Sequence, residues 1–279
     1  MTRRGNARTM DMPKDTNIPE PVCLIIAGYD PSGGGGVLAD LRAARACGVR
    51  AVAAVTAVTA QNTFEIARCT PVDADLLRDE LDLLAREFSI RAVKVGMLGN
   101  AALAGVIAEF LDRLPSQVPV VLDPVLAATA GMALFEPDQL DKLTALFSRC
   151  ALITPNLPEL ARLTGLPVDD SPSTRETAAR SLLAAGARAV LVKGGHADGA
   201  FVVDDLFTAG SRTSFEHPRL ELPKIRGTGC FLSTAIACGL LCAGPLPSAI
   251  SSARTLLQDR LGAAWFPGGH HGLLPDSMD

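Results

Sequence analysis

The sequence predicts an α/β fold built on a mainly parallel sheet, and three observations carry that expectation. From Pro21 onward, short runs rich in Val, Ile, Leu and Ala, too brief for helices, alternate with longer segments of helical period. The short runs do not alternate apolar with polar residues, which is the pattern of strands buried on both faces. Helical segments between such strands give right-handed βαβ units.

Taken in order, the strand runs are 22–27, 51–56, 92–95, 118–122, 151–154 and 189–192, and the helical segments are 37–47, 73–88, 101–113, 137–147, 157–163 and 173–185. Segment 73–88 shows the logic: Leu76, Leu77, Leu81, Leu84 and Phe88 form one stripe while Arg78, Asp79, Glu80 and Arg86 face water. After residue 192 the runs 200–203, 205–209 and 213–217 read as short antiparallel strands at one sheet edge, and helices at 230–242 and 246–261 follow. With no linker rich in Ser, Pro or Gly and no internal repeat, residues 21–264 read as one domain, 1–20 as a disordered leader and 265–279 as a tail of unassigned order.

Composition removes several function classes. The 279 residues suffice for one large domain at roughly 100–200 residues per domain, and 48% hydrophobic with 20% charged residues excludes a disordered chain. Against 30 Asp and Glu stand 26 Lys and Arg, so the net charge of −4 disfavours nucleic acid and anionic membrane as partners. A single Trp265 and a single Tyr29 leave any base-stacking platform to Phe alone. The cysteines are odd in number, seven, and form no CxxC pair, which fits a reduced, cytoplasmic protein. Behind Arg3 and Arg4 the polar stretch 5–20 lacks the apolar core of a secretion signal. The most apolar segment, 234–246, is broken by Gly239, Gly244 and Pro245 and falls short of the ~20 residues a bilayer span needs. A small molecule is the expected partner.

In open parallel sheets ligands sit beyond the carboxyl ends of the strands, so the following loops hold the candidate chemistry. Gly28-Tyr29-Asp30-Pro31-Ser32 and then Gly33 to Gly36 bring backbone close to whatever binds there; without a following Gly-Lys-Ser/Thr, and with Leu38 at the third-glycine position, the loop is neither a P-loop nor a dinucleotide fingerprint. Residues 56–63 include Thr59 and Gln61, whose groups suit the edge of a heterocycle. Lys94 to Gly99, with Met97, and Asp123-Pro124-Val125 each read singly as core edge, and together they line one rim. Asn156 and Glu159 fit a capping box, or an amide and a carboxylate facing phosphate and hydrated Mg²⁺. Lys193-Gly194-Gly195-His196 pairs a cation with backbone amides suited to phosphate, with His196 a turn residue. Arg226-Gly227-Thr228-Gly229-Cys230 runs into an apolar helix whose start makes an anion hole. Cys230 at that helix start is expected to have its thiol pKa lowered; Cys238 and Cys242, four apart on the same helix, read as core residues.

In order and spacing these segments, from about Pro21 to about Leu261, resemble the hydroxymethylpyrimidine/phosphomethylpyrimidine kinases of thiamine biosynthesis. The resemblance implies a ribokinase-like three-layer α/β/α fold with a mainly parallel central sheet and a short antiparallel edge. It implies ATP with Mg²⁺, a pyrimidine alcohol as substrate, and a homodimer. Carried over residue by residue, it puts the pyrimidine at Gly28, Asp30, Gly35, Thr59, Gln61, Met97, Val125 and Cys230. It puts the nucleotide at Asn156, Lys193 and Gly194, Mg²⁺ at Asp123 and Glu159, and the transferring phosphoryl group at Gly227, Thr228 and Gly229. Cys230 would be the base, contributing about 10²–10⁴ in rate, beside about 10²–10³ from the anion hole.

The chain departs from the family at Lys224-Ile225-Arg226, where Asn-Thr-His is usual, at Phe231, where a small residue is usual, and at Ala128, where a lysine is usual. These positions are expected to surround the ATP side, with Arg226 as a replacement cation. The tail Gly268-Gly269-His270-His271-Gly272 offers a candidate chelating pair. Two further readings stand beside the pyrimidine kinase: a pyridoxal or pyridoxine kinase of the same fold, with Gln61 as the discriminating residue, and a pyrimidine-binding homologue without catalysis.

Overall fold

The computed structural model describes residues 20–127, 131–132, 134–195, 199–269 and 271–276, so Ala128, His196, His270 and almost all of the expected leader lie outside the described residues. The first half of the chain runs β1 (Pro21–Tyr29), α1 (Gly36–Ala46), β2 (Arg50–Gln61), β3 (Ile66–Pro71), α2 (Ala74–Glu87), β4 (Ser89–Val95) and α3 (Ala101–Arg113). The second half runs β5 (Val120–Leu122), a 3₁₀ helix (Pro137–Leu143), α4 (Thr144–Phe147), β6 (Leu152–Ile153), α5 (Leu157–Thr164), α6 (Pro172–Ala184), β7 (Ala189–Val192), β8 (Phe201–Thr208), β9 (Arg212–Pro218), α7 (Thr228–Leu241) and α8 (Leu246–Leu261).

The strands form one sheet in the order β3-β2-β1-β4-β5-β6-β7-β8-β9. Pairing is parallel from β2 to β7, with Ile26 of β1 opposite Ala54 on one side and Val95 on the other. β1 explains why its sequence does not alternate. Val22, Leu24 and Ile26 enter the core under α2, α3, α5 and α6, whereas Cys23 enters the core under α1, α7 and α8. Both faces are covered, and the three layers are those the family resemblance implies. Among the described residues no helix is long and apolar enough to cross a membrane.

The elements depart from the sequence reading in three places. Antiparallel strands close both edges of the sheet, because β2 continues to Gln61 and pairs with β3. Edge strands face water on one side, and the half-exposed Thr, Ala and Arg residues of this hairpin carry no buried-strand signature. The runs 200–203 and 205–209 are one strand, β8, across the buried pair Asp204 and Asp205. These carboxylates are tolerated because Arg254 meets Asp204 while Arg175 and Arg212 meet Asp205. Segment 137–147 begins as a 3₁₀ helix behind Pro137 and becomes α-helical only at Thr144.

The chain passes from β1 outward to β2 and returns to β4 on the other side of β1, so the strand order reverses between β1 and β4. A crevice opens there at the carboxyl ends of the strands. Beneath it, Lys94 of β4 is fully buried with its Nζ 2.7 Å from Asp40 Oδ2 of α1. Thr234 of α7 donates to Asp40 Oδ1 at 2.8 Å. Strand, helix and helix are thus tied by one ion pair. Removing one member of a buried pair strands the other charge, so Lys94→Met is expected to cost about 3–5 kcal/mol in urea unfolding at neutral pH. Lys94→Met/Asp40→Leu should recover most of that loss.

Candidate active site

The glycine loop after β1 is a built turn. Asp30 Oδ1 accepts hydrogen bonds from the Ser32 amide at 2.9 Å and the Ser32 hydroxyl at 2.7 Å. Gly36, at φ +57°, brings the loop back onto the Gly28 carbonyl oxygen, where any Cβ would collide. The loop walls a cavity of about 620 Å³, counting the open space at its mouth. All the residues assigned to the pyrimidine lie on it: Gly28, Asp30 and Gly35 from the loop, Thr59 and Gln61 from β2, and Met97 and Val125 from the ends of the neighbouring strands. Gly227 and Cys230 line the same cavity. Thr59 spends its hydroxyl on the Tyr29 carbonyl at 2.9 Å, so it holds β2 to β1 at the rim.

Gly227 adopts φ +74°, and a Cβ there would strike the Gly34 carbonyl. α7 begins at Thr228, and its first main-chain bond runs from Phe231 N to Gly227 O at 2.8 Å. The amides of its first turn have no partner within the helix, so they and the helix dipole direct positive potential at the crevice. A side chain at Gly229 would sit 3.1 Å from Lys193 Nζ and 3.8 Å from Asp123 Oδ2. The helix start therefore stands between the cavity and the Lys193–Asp123 pair.

Cys230 does not behave as its helix position suggests. Burial pushes its thiol up to about 12; Lys94 opposes that, while Asp40 and Asp123 reinforce it. Desolvation and two carboxylates outweigh Lys94 and the Gly36 backbone, and the thiol is protonated at neutral pH. The expected lowered pKa is corrected accordingly.

On the far side of Gly229, Lys193 Nζ lies 2.7 Å from Asp123 Oδ1 and 3.9 Å from Glu159 Oε2. Burial opposes ionisation of Asp123, but Lys193 and Lys94, with hydrogen bonds from Lys193 and Thr154, hold its carboxyl below the usual carboxylate range. Burial raises Glu159 to about 7, with Lys193 opposing and Asp123 adding to the rise. The capping box is formed: Asn156 Oδ1 accepts from Glu159 N and Glu159 Oε2 from Asn156 N, each at 2.8 Å. Capping uses one oxygen of each side chain, so it does not exclude a second role for either.

Two assignments on this side are corrected. The Gly194 amide donates to the buried Asp204 carboxylate at 2.8 Å, so it is not available to phosphate. Arg226 points into the rim of the cavity on the other side of the helix start, where it meets Asp30, Gln61 and Asn62. Phe231, expected near the phosphate path, is buried in the core under α1 and α8. His271, half of the candidate chelating pair, places Nδ1 2.7 Å from the Thr63 carbonyl. The tail is tied to the fold by hydrogen bonds from Arg226 N to Gly272 O at 2.9 Å and from Gly272 N to Lys224 O at 2.8 Å. Sequence reasoning set Lys94 on the rim without giving it a role and missed its partner Asp40; a lone lysine within the apolar run 92–95 was the available signal.

Comparison with known proteins decides the family. Residues 30–275 match the family model described as phosphomethylpyrimidine kinase. The chain belongs to the phosphomethylpyrimidine kinase family. A relative from Rhizobium meliloti named hydroxymethylpyrimidine/phosphomethylpyrimidine kinase is 36% identical over 244 residues, covering 87% of this chain and 91% of the relative. The crystal structure of phosphomethylpyrimidine kinase from Clostridium difficile, a structure of this family's name, superposes with TM-score 0.74 at 28% identity, covering 87% of this chain and 99% of that one. The ADP complex of Bacillus subtilis pyridoxal kinase superposes with TM-score 0.83 at 25% identity, covering 93% of this chain and 98% of that one. The fold is thus shared with vitamin kinases of two specificities, one of them seen with a nucleotide bound.

The two glycines of the helix start are separable by stability. Gly227→Ala is expected to lose about 1–3 kcal/mol in thermal unfolding, because it forces a left-handed alanine against main chain. Gly229→Ala should lose less, since its one tight contact is with the end of the Lys193 side chain and not with main chain.

Proposed function

We propose that the chain is a MgATP-dependent kinase that phosphorylates 4-amino-5-hydroxymethyl-2-methylpyrimidine and then its monophosphate, in the thiamine-forming route of its family. One observation carries this reading: the cavity with Gln61 at its rim contains Cys230 and Gly227, the start of the α7 anion hole, with Lys193 and Asp123 immediately across Gly229.

In this reaction the hydroxymethyl oxygen attacks the γ-phosphorus in line. An oxygen–phosphorus bond forms, the bond to the β-phosphate oxygen breaks, ADP leaves and the hydroxyl proton passes to the transferred phosphoryl group or to water. In the second step a phosphate oxygen of the monophosphate is the nucleophile. The transition state is loose, so the alcohol need not be deprotonated early. A thiol pushed up to about 12 cannot start the reaction as a base at neutral pH; Cys230 positions the hydroxyl, and the amides of the helix start carry the developing charge. Lys193 adds a fixed cation beside that turn. The hard oxygen donors Asp123 and Glu159, in the number Mg²⁺ takes from protein, would hold the ion directly or through water. Mg²⁺ held there would neutralise phosphate charge. The same reading takes the chain to be a cytoplasmic homodimer, in keeping with cysteines that are all free.

A pyridoxal kinase is the second reading, favoured by the higher TM-score of 0.83 to the Bacillus subtilis enzyme. The deciding assay offers MgATP with the pyrimidine alcohol, its monophosphate or pyridoxal and follows products by mass. Successive mono- and diphosphate from the pyrimidine are expected, product from pyridoxal alone would transfer the reading to the second kinase, and no product from any of the three would sink both.

Two variants probe the chemistry. Cys230→Ala should lower kcat by less than about 10²-fold, below the range of a general base. The wild-type kcat/KM should rise with pH through about 7 as Glu159 ionises, and Glu159→Gln should remove that limb of the profile.

A further inference from the structure

Arg226 is almost wholly buried at the cavity rim, and its guanidinium is held by groups from separate segments. Nη1 donates to the Asn62 carbonyl at 2.8 Å, and Nη2 donates to Gln61 Oε1 at 2.8 Å and to Asp30 Oδ2 at 3.3 Å. Asp30 is in turn held by Ser32, and the Arg226 main chain is anchored to Gly272. A guanidinium has donors only, so the group of Gln61 that faces it has to be the amide oxygen. The Gln61 Nε2 atom, with two N–H donors, is left with no protein partner among the described residues, in a side chain that lines the cavity.

We propose that Arg226 is a positioning residue for substrate selection. By holding Gln61 Oε1 it turns the amide so that the cavity offers N–H donors to an acceptor on the ligand ring, an unprotonated ring nitrogen of a neutral azine. The remaining lone pair of Oε1 stays available to an amino group beside that nitrogen. Asp30 acts through Arg226, which accounts for a buried carboxylate at the rim of a pocket for a neutral ring. The inference rests on the pyrimidine reading above and names the residue that sets its donor and acceptor pattern.

Calorimetric titration of the full chain without nucleotide tests this. The probes are the hydroxymethyl aminopyrimidine and its neutral carbocyclic analogue, 2-amino-4-methylbenzyl alcohol, with CH in place of both ring nitrogens. Wild type should prefer the pyrimidine about 10–100-fold, the span expected when a buried donor is left unpaired. Arg226→Met and Gln61→Ala should each reduce that preference to less than about threefold, and the double variant should go no further than Gln61→Ala alone. Wild-type preference retained in Arg226→Met, or losses that multiply in the double variant, would overturn the proposal. If Arg226→Met does not fold, Gln61→Glu reads the same point: its carboxylate still pairs with Arg226 but has no donor for the ring, so a retained preference overturns the proposal and a lost one supports it. A chain that shows the preference yet yields no phosphorylated product would sink the kinase reading and support this one. A working kinase whose preference ignores Arg226 would do the reverse.

Discussion

Everything at the site depends on how closely two glycine turns approach each other. The Gly34 carbonyl of the loop after β1 rests where a side chain at Gly227 would be, so the wall of the cavity and the start of α7 are in main-chain contact. That contact puts a ring-sized pocket beside a set of unpaired helix amides. Neither turn tolerates a Cβ at its closest point, which is why the chain spends glycines there and accepts the entropy they cost on folding.

The electrostatics follow from this arrangement. A chain of net charge −4 nevertheless concentrates cations at the crevice: Lys94 under the cavity floor, Lys193 beyond Gly229 and the helix start between them, which is what the proposed nucleotide substrate requires. Each lysine is matched to a carboxylate, Asp40 or Asp123, so neither charge is buried alone. The same carboxylates, together with desolvation, keep the Cys230 thiol protonated. The proposed phosphoryl transfer would accordingly draw on positive potential prepared in advance and not on a strong base, as a loose transition state allows.

Much of the fold was legible because buried parallel strands and amphipathic helices write strong periodic signals. The central strands and the helices at 101–113 and 246–261 are found where the sequence puts them. The edge hairpin of β2 and β3 was not legible, since half its residues face solvent and its pairing supplies what its composition lacks. Asp204 and Asp205 look like a strand break until Arg254, Arg175 and Arg212, distant in sequence, are seen to neutralise them.

The site divides along the same line. By itself the sequence determined which residues stand at the strand ends and at the helix start, because glycine runs, caps and strand termini are local properties. It could not determine what those residues face. Arg226 was read toward the nucleotide and turns to Gln61 and Asp30; Gly194 was read as a free amide and binds Asp204; Cys230 was read as an acidic thiol and is a neutral one. Direction, partner and pKa are set by groups tens or hundreds of residues away, through burial and Coulomb contact that exist only once the chain has folded.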